Sequence, residues 1–414
     1  MTEVQEALAE AHRREWAFVL AATVRVAGDL DLAEECAQDA FVAALATWAE
    51  RGVPRNPGAW LTTVARHRAV DVLRRDQTLR SKLPLLVDAN PSTPGPAEQE
   101  EAGVIPDDRL RLVFTCCHPA LAREAQVALT LRLVCGLTTA EIARGFLVSE
   151  PTMAARITRA KKKIAAARIP YRVPPAHDLP DRLDAVLTVV HLLYTTGHTA
   201  PQGDTLVRAE LVERALDLAR MLHALMPDDR EVRGLLALLL LTDARRATRT
   251  TADGRLLLLE EQDRTQWDQQ AITEGRELVL HALPRGRPGR FTLQAAIAAV
   301  HADAPTYADT DWREVLSLYD MLLAVWPSPV VVLNRAVAVA MVDGPAAGLA
   351  ALDAVADDPR LATYPYLAST RGDLLRRLGQ TRDAAQAYRT ALSLATNTAE
   401  RNFLAQRLTE VTDA

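Results

Sequence analysis

The stretch from Thr138 to Lys163, TTAEIARGFLVSEPTMAARITRAKKK, constrains this chain more than any other. Its local signals specify two short helices and a tight turn. Thr138 is placed to cap the first helix, and Glu141, three residues on, completes a capping box. Ile142 and Phe146 give that helix an apolar side. Ser149 is placed to cap the second helix, and Pro151 falls in its first turn, where a missing N–H costs little. Within the second helix Met153, Ile157, Ala160 and Ile164 recur on one face of a 3.6-residue period. Thr152, Ala155, Arg159, Lys162 and Lys163 occupy the other side, with Arg156 and Lys161 flanking. A helix apolar on one side and cationic on the other, fixed to a short partner helix, is the pattern of a helix-turn-helix that lies in the major groove. An ordinary solvated surface helix would not require caps, turn length and charge placement to agree.

Charge is divided unevenly along the chain. Residues 1–169 hold 22 Lys+Arg against 21 Asp+Glu, whereas residues 170–414 hold 26 against 32. All four lysines (Lys82, Lys161, Lys162 and Lys163) lie in the first part, so nucleic-acid contact is expected there. Scarce aromatics and abundant Ala, Leu and Arg favour helix throughout. With no secretory leader, Cys36, Cys116, Cys117 and Cys135 suggest free thiols in a reducing cytoplasm. Cys116-Cys117-His118 has no second ligand pair at finger spacing, so its cysteines are expected as buried small hydrophobes. No apolar run reaches the roughly 18 residues of a membrane span. The longest, Leu235 to Leu241, reads as a buried helix segment.

The first block, residues 1–77, is expected to be helical. Trp16, Phe18, Val19, Leu20 and Val24 mark one helix. Asp29-Leu30-Asp31 opens a second, acids first as the helix dipole prefers, with Leu32, Cys36, Ala40, Phe41, Ala44 and Leu45 as its apolar stripe. Gln38 and Asp39 lie off that stripe, on a face that is by default solvated. A loop broken by Pro54 and Pro57 precedes a third helix, in which Leu61, Ala65, Ala69 and Val72 point inward. Thr63, Arg66, His67 and Arg74 point outward with Arg68 and Arg75 at the margin, a face suited to phosphate. Residues 78–106, rich in Pro, Ser, Ala and Glu, read as a linker. Helix resumes at Asp107 with Leu110, Leu112, Val113 and Phe114, and again from Val127 to Val134, where Gly136 ends it.

This order of motifs, AEECAQDAFVAAL, then AWLTTVARHRAVDVLRR, a polar linker and a helix-turn-helix ending RAKKKI, resembles the extracytoplasmic-function sigma factors of bacterial RNA polymerase. The resemblance covers residues 10–168, conventionally regions 2 and 4. It implies that the helix Glu34 to Trp48 docks on the clamp of core RNA polymerase, with Glu35, Gln38, Asp39 and Val42 as contacts. It implies that the loop Pro54 to Pro57 and the helix Trp60 to Arg75 open and read the downstream promoter element, with Asn56, Arg66, His67, Asp71 and Arg74 as candidates. The helix Glu150 to Lys163 would read the upstream element through Thr152, Ala155, Arg156, Arg159, Lys162 and Lys163. Residues Asp107 to Val134 would touch the polymerase flap. The linker would thread toward the active-centre cleft, its Glu98, Glu100 and Glu101 mimicking nucleic-acid charge. Leu147 stands at a turn position where the family commonly has glycine.

Beyond a Pro-rich joint, YRVPPAHDLPDRL, the chain continues for about as long again. Ala215, Ala219, Leu222 and Pro227 are spaced as Ala347, Ala351, Ala354 and Pro359, and as Ala384, Tyr388, Ala391 and Thr396, the last set preceded by Gly372. These are the small-residue positions of tetratricopeptide hairpins, whose stacking presents a concave surface for peptides or protein segments. The stretches LLYTTGHTA, EEQDRTQWD and AERNFLAQR stand out. His198 and Glu260 with Asp263 suggest a hydrolytic site, but no nucleophile motif or metal spacing accompanies them, and groove polarity or helix capping is the simpler expectation.

The expectation is therefore an all-α chain: residues 1–77 and 107–169 as two small helical domains joined by the 78–106 linker, then a tetratricopeptide-like domain over 170–414. By resemblance it is a cytoplasmic sigma factor without cofactor or metal, not an enzyme. Its partners are core RNA polymerase, promoter DNA and a small regulatory protein bound by the extension; relatives are typically encoded beside small proteins with an Asp-Gly-Pro-Phe motif. Two alternatives stay open: a helix-turn-helix regulator with a protein-binding sensor domain that never contacts core polymerase, and a tetratricopeptide scaffold with a vestigial amino-terminal part.

Overall fold

The computed structural model describes residues 3–82 and 108–413, apart from 147, 176, 201–202, 252–253 and 284–286. The expected linker with Glu98, Glu100 and Glu101, and the turn residue Leu147, lie outside the described residues. Regular structure among the described residues is helical, with only two isolated β-bridges. The chain forms two compact units, Met1–Val189 and Val190–Ala414.

In the first unit α1 (Glu3–Ala27), α2 (Leu30–Arg51) and α3 (Pro57–Lys82) pack on one another. Gly28, at φ +67°, ends α1, and the Asp29 carboxylate accepts from Leu32 N at 2.8 Å to start α2. Ala33, Ala37, Ala40 and Ala44 are fully buried, and their small side chains admit the large ones: Trp16, Leu20, Trp48 and Leu61 are buried among them. Trp48 meets Trp60 edge-on at 5.8 Å. Helix α3 runs to Lys82, past the expected start of the linker. Two residues of the expected core face outward instead: Val72 is 40% exposed and Leu45 46%. Each lies at the edge of its helix's apolar stripe, where hydrophobic type alone does not settle the facing.

Helix α4 (Asp108–Cys116) packs on α1. Helix α5 (Arg123–Leu129) passes into a single π turn, Thr130–Val134, before α6 (Thr139–Gly145) and α7 (Glu150–Ala166). The π turn lets the Leu133 carbonyl accept from the Trp16 indole N–H at 3.1 Å, tying this module to α1. Next to it Gly136 is required twice over. Its φ is +70°, and a Cβ there would lie 2.9 Å from both His12 and Trp16. The Tyr171 hydroxyl completes the joint, 2.9 Å from the Ala21 carbonyl and 3.2 Å from that of Asp108. Cys36, Cys116 and Cys117 are buried free thiols, and Cys135 is half-buried. Burial raises the Cys117 thiol to about 11, a proton-bearing small hydrophobe rather than a nucleophile.

Helix α8 (Leu179–His198) spans the division between the units. The second unit is a succession of helices: α9 (Ala209–Leu225), α10 (Arg230–Asp243), α11 (Gln269–Ala282), α12 (Arg290–Asp303), α13 (Trp312–Val325), α14 (Pro329–Val342), α15 (Pro345–Asp353), α16 (Pro365–Arg377), α17 (Thr381–Leu394) and α18 (Thr398–Thr412). Most pack on their chain neighbours, as stacked hairpins do, while α12 packs chiefly on α10, two helices back. The first and third small-residue sets lie where expected: Ala215, Ala219 and Leu222 are buried, and so are Ala384, Tyr388 and Ala391. Gly372 brings α16 onto α17, since a Cβ there would meet the Tyr388 ring at 2.9 Å. The middle set is out of register. Ala351 is half-buried and Ala354 exposed, while Gly348, Leu352 and Val355 make the contact; in an alanine-rich chain the spacing matched one residue early. Leu235 to Leu241 are buried throughout, as the sequence implied.

The array also closes on itself. Asn397, fully buried, donates its amide to the carbonyls of Ala200 at 3.1 Å and Thr205 at 3.0 Å, while its Oδ1 accepts from Ala399 N at 3.0 Å and caps α18. Thr398 adds a 2.9 Å bond to Asp204. The three stretches singled out in the sequence serve this architecture. The Arg249 guanidinium binds the His198 carbonyl and, at 3.0 Å, the Thr199 hydroxyl. Asp263 caps the turn that follows it, accepting from Thr265 N at 3.0 Å. Arg401 binds the carbonyls of Leu392 and Ala395 at 3.0 and 3.1 Å.

Candidate nucleic-acid interface

The helix-turn-helix is built by the local devices its sequence contains. The Glu141 carboxylate accepts from Thr138 N at 2.7 Å and the Thr138 hydroxyl faces Glu141 N at 3.2 Å, closing the capping box. Ser149 accepts from Thr152 N and its hydroxyl lies 2.8 Å from that of Thr152, with Pro151 in the first turn of α7. Met153, Ile157, Ala160 and Ile164 are all buried. That fixes the roll of α7 and leaves Thr152, Ala155, Arg159, Lys162 and Lys163 exposed, with Arg156 half-buried beside them. Arg159 Nε donates to the Ala155 carbonyl at 3.2 Å, which holds the guanidinium along the helix. Three free-facing cations on one helix, with short side chains between them, form a surface that fits a groove walled by phosphates.

The other candidates form two faces on α2 and α3. Arg66, His67, Asp71 and Arg74 are exposed on α3. Asn56 caps that helix, its Oδ1 accepting from Ala59 N at 3.0 Å, and is itself exposed. On α2, Glu35, Gln38 and Val42 are exposed, Val42 at 69% with Leu45 one turn on. Gln38 donates to Glu34 at 3.3 Å, and half-exposed Asp39 pairs with Arg68 of α3 at 2.7 Å. An exposed helix face mixing carboxylates with uncovered apolar side chains suits protein rather than nucleic acid.

Lys161 departs from the expected cationic face. Its side chain is only 10% exposed and its ammonium lies 2.6 Å from both Asp31 and Glu34 of α2. Glu34, 7% exposed, also pairs with Arg132 from the π turn, whose second nitrogen donates to the Leu137 carbonyl at 3.0 Å. Burial works against the Lys161 charge, but the Glu34 and Asp31 carboxylates outweigh it and hold the ammonium above its ordinary range. Charge-assisted bonds of this kind are the strong ones. In the first unit they join the helix of the upstream-reading candidates to the helix of the polymerase-docking candidates. The sequence reading missed Asp31, Glu34 and Arg132 as a set; their one local trace is two carboxylates three apart on α2. Among the described residues no cluster of three His, Cys, Asp or Glu side chains is placed to hold a metal ion.

A helical module with a basic third helix, followed by a capped helix-turn-helix with a cationic outer face, defines a DNA-binding transcription factor. The family model of Sigma-70 region 2 matches residues 8–78, and that of Sigma-70, region 4 matches residues 111–164. A family of unknown function, DUF6596, matches residues 182–283. An uncharacterized protein of Rhizobium meliloti (strain 1021) is 43% identical over 392 residues, which cover 94% of this chain and 92% of that protein. The chain belongs to the sigma-70 family, as an extracytoplasmic-function-like sigma factor with a helical carboxy-terminal extension. It is a sigma factor or sigma-like regulator of transcription, and no described helix is long and apolar enough to cross a membrane.

Proposed function

We propose that the protein is a promoter-specificity subunit that binds core RNA polymerase, places it on a two-element promoter and melts the downstream element. In this reading residues 1–77 form the melting and docking module, 107–169 the upstream-element module, and 170–414 a regulatory domain. Glu35, Gln38, Asp39 and Val42 of α2 contact polymerase. Asn56, Arg66, His67, Asp71 and Arg74 handle the opened strand, where an unstacked base needs a polar edge reader beside a basic helix. Arg156 and Arg159 bond base edges in the major groove while Lys162 and Lys163 hold phosphates. The observation that carries the reading is the roll of α7, which buries four apolar side chains and presents Thr152, Ala155, Arg159, Lys162 and Lys163 together.

Run-off transcription with purified core enzyme on a linear promoter template tests it. Added protein is expected to stimulate initiation, and Arg156→Ala with Arg159→Ala to abolish dependence on the upstream element. Binding to DNA without initiation would instead identify a regulator that does not engage core polymerase. Deleting the extension is expected to change the yield of transcript, which tests its regulatory role separately.

A further inference from the structure

The second unit contains a cleft that the promoter reading does not use. Two cavities, of 630 and 390 Å³, meet at Leu259, His301, Tyr319 and Asn334. Residues 170–414 carry more acids than arginines, yet the arginines and carboxylates lining this cleft are Arg245, Arg376, Arg377 and Arg407 against Glu260 and Asp373. Arg376 pairs with Asp373 at 2.7 Å and Arg407 with Glu410 at 2.8 Å. Among the described residues no carboxylate lies within ion-pair distance of Arg245 or Arg377; Arg377 reaches only the Met341 sulfur, at 3.7 Å. Two further donors, the Trp312 indole N–H and Arg376 Nε, are buried without an acceptor. Arg245, half-buried with no carboxylate beside it, is costly to keep, and Arg377 is exposed and open to a ligand, so the complement of the pair is an anion supplied from outside.

The cleft's layout narrows the ligand. Arg245 lines only the smaller cavity and Arg377 only the larger, so a compact anion meets one of them and not both. The lining also includes the apolar side chains Leu241, Ile297, Val337 and Met341 and the Tyr319 ring. Concave faces of stacked helical hairpins accommodate extended chains. We infer that this cleft binds an acidic peptide segment of a partner protein, its carboxylates on Arg245 and Arg377 and its apolar side chains against the cleft's apolar lining residues. A nucleic acid would suit the two cations but not a unit whose charge is otherwise acidic and which has no lysine. The inference is independent of promoter recognition and stands whether or not the protein engages polymerase.

The test uses the full-length protein and a fluorescein-labelled peptide of repeated Glu-Leu-Glu-Ala, with the Lys-Leu-Lys-Ala isomer as control. Fluorescence anisotropy is expected to show saturable binding of the acidic peptide only, weakened by salt. Arg245→Gln and Arg377→Gln are each expected to weaken it about tenfold, the size of a hydrogen bond to a charged group, with helical circular dichroism unchanged. Equal binding of the two peptides, or binding that survives both substitutions in a folded protein, overturns the inference. Should a variant fail to fold, the wild-type comparison of the two peptides decides alone. Displacement by inorganic phosphate at similar concentration makes this a small-anion site, and displacement by oligothymidylate a nucleic-acid site; either result also overturns the peptide assignment.

Discussion

Glu34 carries two cations and Lys161 two carboxylates, in a joint where Asp31 alone is open to water. Removing one member of such a cluster leaves the others buried and uncompensated, a loss of roughly 3–5 kcal/mol. Glu34→Ala is therefore expected to lower the denaturant midpoint of the full chain more than Asp31→Ala, because Asp31 is 71% exposed. The raised Lys161 sets the pH window: its contribution is complete below 10.5, its ordinary value, and is lost only as pH climbs through the higher folded value. Acid acts elsewhere. Burial, and secondarily Arg290, holds His191 at about 4; burial, then Arg245 and Arg264, holds His301 at about 4. Both imidazoles are depressed below 6.5, so the stability they represent is present above 6.5 and drains as pH falls toward 4. Thermal midpoints measured across that range are expected to fall, with a flatter profile in His301→Gln. Gly136→Ala meets both a left-handed backbone and the Trp16 ring, and is expected to lower stability by more than about 1 kcal/mol.

At the level of the helix, what was legible in the sequence was local. The Thr138 and Glu141 box, the Ser149 cap and the Met153, Ile157, Ala160 and Ile164 stripe are written within one or two turns, and each took its place. Lys161 was misplaced because its partners lie 127 and 130 positions away, and no window of sequence links them. Val72 and Leu45 were misplaced because an apolar residue at a stripe's edge packs only if a neighbour arrives. The distinction between adjacent lysines has a measurable consequence. In binding of the polymerase complex to promoter DNA, Lys162→Ala is expected to reduce the salt slope by about one, as the loss of one phosphate contact does. Lys161→Ala is expected to leave the slope unchanged, since that charge is already engaged by Asp31 and Glu34. Equal reductions would show that Lys161 leaves its carboxylates when DNA arrives.

On the scale of the molecule, each unit has its own means of holding distant segments together. In the second, Asn397 draws the beginning of the hairpin array onto its last helix through side-chain bonds that no repeat pattern contains, which is why the small-residue spacing revealed hairpins but not their closure. Asn397→Ala leaves the buried Ala200 carbonyl and the Thr205 carbonyl without their donor and α18 uncapped; a drop of roughly 2–4 kcal/mol in unfolding free energy is expected, with faster amide exchange at both α18 and the 199–206 segment. In the first unit the Lys161 joint means that α7 and α2 are not interchangeable parts. A chimera that imports another factor's helix in place of α7 without a lysine at residue 161 would strand Glu34 against Arg132 alone, so a graft of this helix would have to carry that one residue along with the exposed candidates for base contact.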